Sequence, residues 1–274
     1  MKEIAKNVLY KILTLSLYLA RKKQGYMILY KSLKKIIPDI SDQYSSRIIS
    51  GEYLTSKVYS QHAFQTQLVL DEIKEKENNI LVDMGDSSGN HIIYLKTLIS
   101  GLKTYSVNSD KDAIDKLQKK GLPSIHSRVE NLKSEGHLDE TIDLMICFQV
   151  LEHLSDPIGF LKSVNESVDV KKFIISVPYL SRSSVRLDKV ENPSLDVPFN
   201  PEVTHIFELS PEDWNKIFKF SGWRIEKTKI YYQYPRNLFS LGLRFLWKKF
   251  DFEGFYGAVL IKDDTFLKMY NNFD

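Results

Sequence analysis

The chain has 274 residues, 43% hydrophobic and 27% charged, enough for one large domain with an appendage and a core that needs no covalent staples. A formal net charge of +3 with a pI near 8.6 is too balanced to announce a nucleic-acid binder. Its single cysteine, Cys147, excludes an intramolecular disulfide framework and a cysteine-rich zinc site; lying inside the apolar run Leu144 to Phe148, it reads as a small buried hydrophobe.

Residues 1–75 read as a helical extension. Ile4, Val8, Ile12, Leu15 and Leu19 recur at helical spacing, and between Met1 and Ile37 the basic residues Lys2, Lys6, Lys11, Arg21, Lys22, Lys23, Lys31, Lys34 and Lys35 stand against Glu3 alone. A basic, tyrosine-bearing amphipathic helix suits the surface of an anionic membrane; a cap on a sheet or a dimer contact accounts for it equally well. The most apolar stretch, Val8 to Ala20, holds Lys11 and runs into Arg21-Lys22-Lys23, so neither a membrane span nor a cleaved leader is expected, and the expected location is cytoplasmic, with peripheral contact at the inner membrane face. A further helix is predicted over residues 61–76.

From Ile80 strands and helices alternate, the pattern of a mostly parallel sheet covered on both faces. Strands are predicted over 79–85, 102–108, 123–127, 142–148 and 172–178, with helices over 90–100, 110–120 and 157–168 between them. An irregular stretch, 179–209, is long enough for a lid or substrate loop, and Tyr179, Arg182 and Arg186 in it suit an anionic substrate group. Ser210-Pro211-Glu212-Asp213 then starts a helix, with a serine cap, proline at the first position and early acids. Strands from Trp223 to Tyr232 and from Gly254 to Ile261 follow, separated by an apolar, basic insertion at 235–253 that includes Leu238, Phe245 and Trp247; residues 263–274 are a tail.

The chemistry concentrates at two places. Asp83-Met84-Gly85-Asp86-Ser87-Ser88-Gly89 closes the first strand and opens a helix, as a cofactor loop or an ordinary strand-to-helix connection does. Far downstream, an acid-led apolar strand runs into Gln149-Val150-Leu151-Glu152-His153-Leu154. Together with Ile174 to Pro178 and Phe207 to Trp223, these segments resemble class I S-adenosylmethionine-dependent methyltransferases over residues 60–262. The Val-Leu-Glu-His-Leu turn is the most specific of the signals.

The resemblance implies a Rossmann-like α/β fold: a seven-stranded, mostly parallel sheet, its last strand antiparallel, with helices on both faces and the N-terminal extension added. It implies S-adenosylmethionine as cofactor, with Asp83, Gly85, Ser87 and Gly89 on the first motif, Asn108 at the ribose position, Glu130 near the third strand, and Phe148 and Gln149 beside the sulfonium. The chain departs from the pattern in having Ser87 for a glycine, Asn108 for a carboxylate, and Arg128 where an acid is usual. His153 and His205 are the candidate general bases, with a backbone-bonding or helix-capping histidine as the plain alternative. No two histidines stand four apart, so no metal site is expected. The implied activity is methyl transfer to an oxygen or nitrogen of a small-molecule or glycan acceptor, such as a lipid-linked sugar. The alternative is a non-catalytic Rossmann-like module with a degenerate cofactor loop. A nucleic-acid acceptor is not expected, because no Asn-Pro-Pro-Tyr-like turn follows the fourth strand and the core carries no extended basic face.

Overall fold

The computed structural model describes residues 2–44, 48–73, 79–132, 134–138, 140–185, 204–236 and 241–270. The N-terminal helices are α1 (Lys2–Gln24), α2 (Met27–Ile36) and α3 (Glu52–Leu70). Alternation then begins: β1 (Ile80–Met84), α4 (Asn90–Leu98), β2 (Lys103–Asn108), α5 (Lys111–Lys119), β3 (Ser124–His126), β4 (Ile142–Phe148), α6 (Pro157–Ser167) and β5 (Val170–Tyr179). The remainder comprises β6 (Ser184–Val185), β7 (Phe207–Glu208), α7 (Pro211–Phe220), β8 (Trp223–Tyr232), α8 (Leu241–Phe250), β9 (Gly254–Lys262) and α9 (Thr265–Tyr270).

Seven strands form one sheet in the order β3-β2-β1-β4-β5-β9-β8. The pairs among β1 to β5 are parallel, and β9 runs antiparallel between β5 and β8, as the resemblance implies. Strand order reverses between β1 and β4, which opens a crevice beyond their carboxyl ends. The central strands are buried on both faces, so they read as unbroken apolar runs. Val82, Met145, Cys147 and Phe173 face a core shared with α6 and α7, including Trp214 and Phe218. Their neighbours Leu81, Leu144, Ile146 and Ile174 face Ala63, Phe64 and Leu68 of α3 and Ile92 and Leu95 of α4. Cys147 is wholly buried and burial pushes its thiol pKa up, in keeping with a structural role.

Two parts of the N-terminal region differ from expectation. Helix α3 starts at Glu52 and ends at Leu70, against the predicted 61–76. It is sandwiched between the sheet and the other N-terminal helices, with Ser56, Ser60, His62, Gln65 and Thr66 as buried as Phe64, so it has no polar face to betray its period. In α1 the packed face is Leu13, Leu17 and Ala20, whereas the stripe read from the sequence points outward: Ile4 is 70% exposed, Val8 52% and Leu15 58%. Arg21 anchors α1 instead, its guanidinium donating to the Ser56 and Ser60 hydroxyls at 2.7 Å each and lying 4.0 Å over the Tyr30 ring. Trp247 of α8 donates to Ser16, tying the insertion to the same helix.

The ends of the stretch predicted irregular form a two-stranded ribbon, Ser184–Val185 against Phe207–Glu208. Arg186 and Leu238 lie outside the described residues. Among the described residues no helix is long and apolar enough to cross a membrane.

Candidate active site

The loop after β1 is built by its own side chains. Gly85 has φ +80°, its N–H donates to the Val107 carbonyl, and a Cβ there would stand 2.6 Å from Val150 Cγ2. Glycine is therefore required both by the left-handed backbone and by the turn packed on it. Gly89 (φ +74°) is held likewise by Leu122, 2.0 Å from where a Cβ would sit. Between them Asp86 organises the turn: one carboxylate oxygen accepts the N–H groups of Ser88 and Gly89 at 3.1 and 2.7 Å, and the other accepts the Ser106 hydroxyl at 2.7 Å. Its pKa is nonetheless raised, since burial outweighs these bonds.

Segment 42–44, between α2 and α3, crosses the outside of this loop. Ser87 donates to the Gln43 carbonyl at 2.6 Å, and Ser88 and Asn90 donate to its side-chain oxygen. The serine that departs from the glycine pattern thus fastens the loop to the N-terminal region. Asn108 is spent similarly, donating to the Asp86 carbonyl at 3.0 Å and accepting from the Asp110 N–H at 2.9 Å.

Behind the loop lies a buried polar group in which Asp83, expected from the motif, is joined by His91, Gln65 and His62, which motif reading missed. Asp83 Oδ2 is buried with no hydrogen-bond partner, 3.9 Å from His91 Nδ1. Burial, with Asp86 adding to it, drives the Asp83 pKa well up. His91 bonds Gln65 at 2.9 Å, stacks on His62 with ring centroids 4.0 Å apart, and meets the Phe148 edge at 5.0 Å. Burial lowers the His91 pKa to about 3 and that of His62 well below its usual value, so both rings are neutral.

The turn after β4 forms the other wall. Gln149 adopts φ +57°, and its N–H and its side-chain amide both donate to the Ser176 carbonyl, at 2.8 and 3.1 Å. Such backbone, costly for a residue with a Cβ, persists only where surroundings over-determine it. Glu152 follows in the 3₁₀ turn Leu151–His153: it is wholly buried, neither side-chain oxygen has a hydrogen-bond partner, and burial raises its pKa to about 8. His153 Nδ1 donates to the Thr204 carbonyl at 3.0 Å; a carbonyl only accepts, so in the neutral ring the lone pair is on Nε2. The His205 ring lies edge-on to His153 at 4.6 Å, stacks on Phe252 at 5.0 Å, and has Nδ1 3.4 Å from Glu208.

These groups share one cleft of about 1530 Å³. Of the residues expected at the cofactor, Asp83, Gly85, Ser87, Asn108, Phe148 and Gln149 line it, as do both candidate bases, His153 and His205. Gly89 sits beside the lining, packed against Leu122. Glu130 does not line the cleft and pairs with the exposed Arg128 at 3.6 Å; Tyr179 and Arg182 also lie off it. Sequence reasoning missed His62, Gln65, Asp110, Glu208 and the Tyr10, Tyr53 and Phe252 rim. Only Asp110, an acid two residues past the expected ribose position, carried a readable signal.

A Rossmann-like sheet with a glycine loop at its switch point, and a buried carboxylate oxygen without a hydrogen bond beneath it, is the architecture of a cofactor-binding α/β domain. Residues 60–228 match the family model described as "Methyltransferase domain", and the chain belongs to that methyltransferase family. Its cofactor is S-adenosylmethionine, and the lone buried Asp83 oxygen suits the ammonium of that molecule.

Solved structures agree on the fold. A chain from the complex of the Haloferax volcanii Trm112 methyltransferase activator and a methyltransferase aligns at 11% identity over 74% of this chain and 91% of that one, with a TM-score of 0.51. A SAM-dependent methyltransferase from Leishmania major aligns at 13% identity over 86% and 82%, with a TM-score of 0.51. The [4+2]-cyclase SpnF aligns at 12% identity over 89% and 96%, with a TM-score of 0.52. No curated protein matches the chain.

Proposed function

We propose that this methyltransferase acts on an oxygen or nitrogen of a small-molecule or glycan acceptor, including a lipid-linked sugar. One observation carries the reading. The cleft of about 1530 Å³ exceeds the roughly 300–1,000 Å³ of a pocket for a single ligand, so it has room for donor and acceptor together. Tyr10, Tyr53 and Phe252 also line it, with Lys57 4.8 Å over the Phe252 ring. Aromatic faces beside a cation and hydrogen-bonding groups suit a polar ring with an apolar side, such as a sugar.

S-adenosylmethionine supplies an electrophilic methyl on a sulfonium. Asp83 would hold its ammonium end, Gly85 would let backbone approach it, and Phe148 and Gln149 would wall the reacting centre. With both polar atoms of Asn108 committed to the loop, Asp110 at the α5 cap is the carboxylate that takes the ribose hydroxyls. When bound, S-adenosylmethionine would give its methyl carbon to the acceptor atom, the sulfur keeping the electron pair of the broken carbon–sulfur bond. Because its Nδ1–H is committed to Thr204, the Nε2 lone pair of His153 is the one at the acceptor side, and the edge-on His205 fixes that ring.

Labelled-methyl transfer to a panel of sugars, sugar nucleotides and small phenols and amines tests this. The expected outcome is incorporation into a low-molecular-weight acceptor. Cofactor binding with label appearing only on nucleic acid or protein would reject it.

The exposed stripe of Ile4, Val8, Leu15 and Leu19 supports peripheral contact with an anionic membrane, where a lipid-linked acceptor resides. Removing residues 1–37 would also remove the packed Leu13, Leu17 and Leu33, so substitutions on the outer face are the cleaner probe. Val8→Asp with Leu15→Asp is expected to abolish co-sedimentation with phosphatidylglycerol vesicles without changing the unfolding temperature. Unchanged sedimentation removes the membrane reading.

A further inference from the structure

We propose that Glu152, His153 and His205 form a binding site for one divalent first-row transition-metal ion at the acceptor end of the cleft. Each residue offers one donor atom, and the three atoms lie within 4.8 Å of one another. Donors bound at about 2.0–2.2 Å stand roughly 3–3.5 Å apart, so side-chain shifts on the order of 1 Å close the set.

Three further features point to an ion. First, Glu152 is 0% exposed and both its oxygens lack a hydrogen-bond partner, a rare condition for a buried carboxylate and one that a cation would explain. Second, each imidazole has a polar partner beside its Nδ1, as metal-binding histidines commonly do on one ring nitrogen. His153 Nδ1 donates to the Thr204 carbonyl at 3.0 Å, leaving Nε2 4.0 Å from Glu152 Oε1; His205 Nδ1 faces the buried Glu208 carboxylate at 3.4 Å. Third, the rings are fixed before any ion arrives, His205 by its stack on Phe252 and its edge contact with His153.

Two imidazoles and one carboxylate favour Mn, Fe, Co or Zn over the all-oxygen sets of magnesium or calcium. All three residues line the cleft, so the remaining coordination positions face the acceptor. Resting on the methyl-transfer reading above, with a bound ion then taking over from the His153 lone pair in making the acceptor hydroxyl acidic, the acceptor class narrows to molecules presenting a hydroxyl, or two neighbouring hydroxyls, to the ion.

The test is a cobalt(II) titration of the untagged full chain after EDTA treatment, followed by visible absorption, with S-adenosylmethionine affinity measured in parallel by calorimetry without metal. One equivalent of cobalt with a d–d band is expected. Glu152→Gln and His205→Gln should each weaken it by about tenfold or more, while His126→Ala, an exposed histidine elsewhere, leaves it unchanged. A wild-type chain that binds the cofactor but no cobalt overturns the metal site and leaves the methyl-transfer reading standing. A band that survives His205→Gln in a folded variant also overturns it. Cobalt bound at this site by a chain with no affinity for S-adenosylmethionine supports the site and removes the reaction assigned to it.

Discussion

The contact between Gly85 and Val150 joins the two sequence segments that define the site, and it can be measured. Gly85→Ala introduces two separable costs. An L-residue held at φ +80° loses about 1–2 kcal/mol. The new methyl would stand 2.6 Å from Val150 Cγ2, and Val150 is β-branched, so it cannot swing one methyl aside without moving the other; overpacking of this kind costs about 1–3 kcal/mol. The sum is a loss of about 2–5 kcal/mol, measured as a lower urea midpoint at unchanged slope. In a Val150→Ala background the second cost vanishes and only the backbone part, about 1–2 kcal/mol, remains. A double-mutant cycle should therefore return a coupling of about 1–3 kcal/mol. Equal cost of Gly85→Ala in both backgrounds would refute the reasoning and separate the glycine loop from the Val-Leu-Glu-His-Leu turn.

Two buried carboxyls should give stability–pH profiles of opposite sign. The folded pKa of Asp83 is raised well above 3.8 by burial, so the native state retains a proton that the unfolded chain releases as pH rises from 3.8, and stability is lost over that window. Asp83→Asn is therefore expected to unfold at a higher temperature than wild type at pH 7.5, with the advantage shrinking toward pH 4, and to bind S-adenosylmethionine more weakly; equal unfolding temperatures at pH 7.5 would contradict this. Glu253 is also buried, but bonds from Ser181 (3.1 Å) and Arg244 (2.7 Å) outweigh the burial and lower its pKa from 4.5. Its contribution is present above 4.5 and lost as pH falls through the folded value. Glu253→Gln should lower the unfolding temperature at pH 7.5 and keep that deficit down to about pH 5; a deficit already gone at pH 6 would show that the charge is not what Arg244 recognises.

Much of the fold was legible because its central strands are buried on both faces and most of the helices beside them on one. Ile80 to Val82 and Leu144 to Phe148 read as unbroken apolar runs, and the capped start at Ser210-Pro211 was found where predicted, Ser210 accepting from the Asp213 N–H. Periodicity failed where burial was not one-sided. Helix α3 is covered on all sides and was begun nine residues late (Gln61 against Glu52). Helix α1 shows the converse: its apolar stripe is genuine, but it faces outward, because a stripe reports hydrophobicity and not which partner takes it.

The site was legible at its motifs and opaque between them. Ser87 and Asn108 look like losses when compared residue by residue with the family pattern. In the structure each has a partner the pattern cannot show, Ser87 on Gln43 and Asn108 bridging the Asp86 carbonyl and the Asp110 N–H. Local spacing also hid the grouping of Glu152, His153 and His205. Metal-spacing rules assume ligands on one helix face or one hairpin, whereas here a short 3₁₀ turn supplies two donors and the segment entering β7 supplies the third. What brings them together is backbone: the Ile206 N–H donates to the Glu152 carbonyl at 2.8 Å, pinning the segment that carries His205 to the turn that carries His153. A pairing of that kind leaves no composition or period behind it. The same bond places both histidines by main-chain geometry, so substituting either leaves the other's backbone pinned while removing the edge contact between the rings.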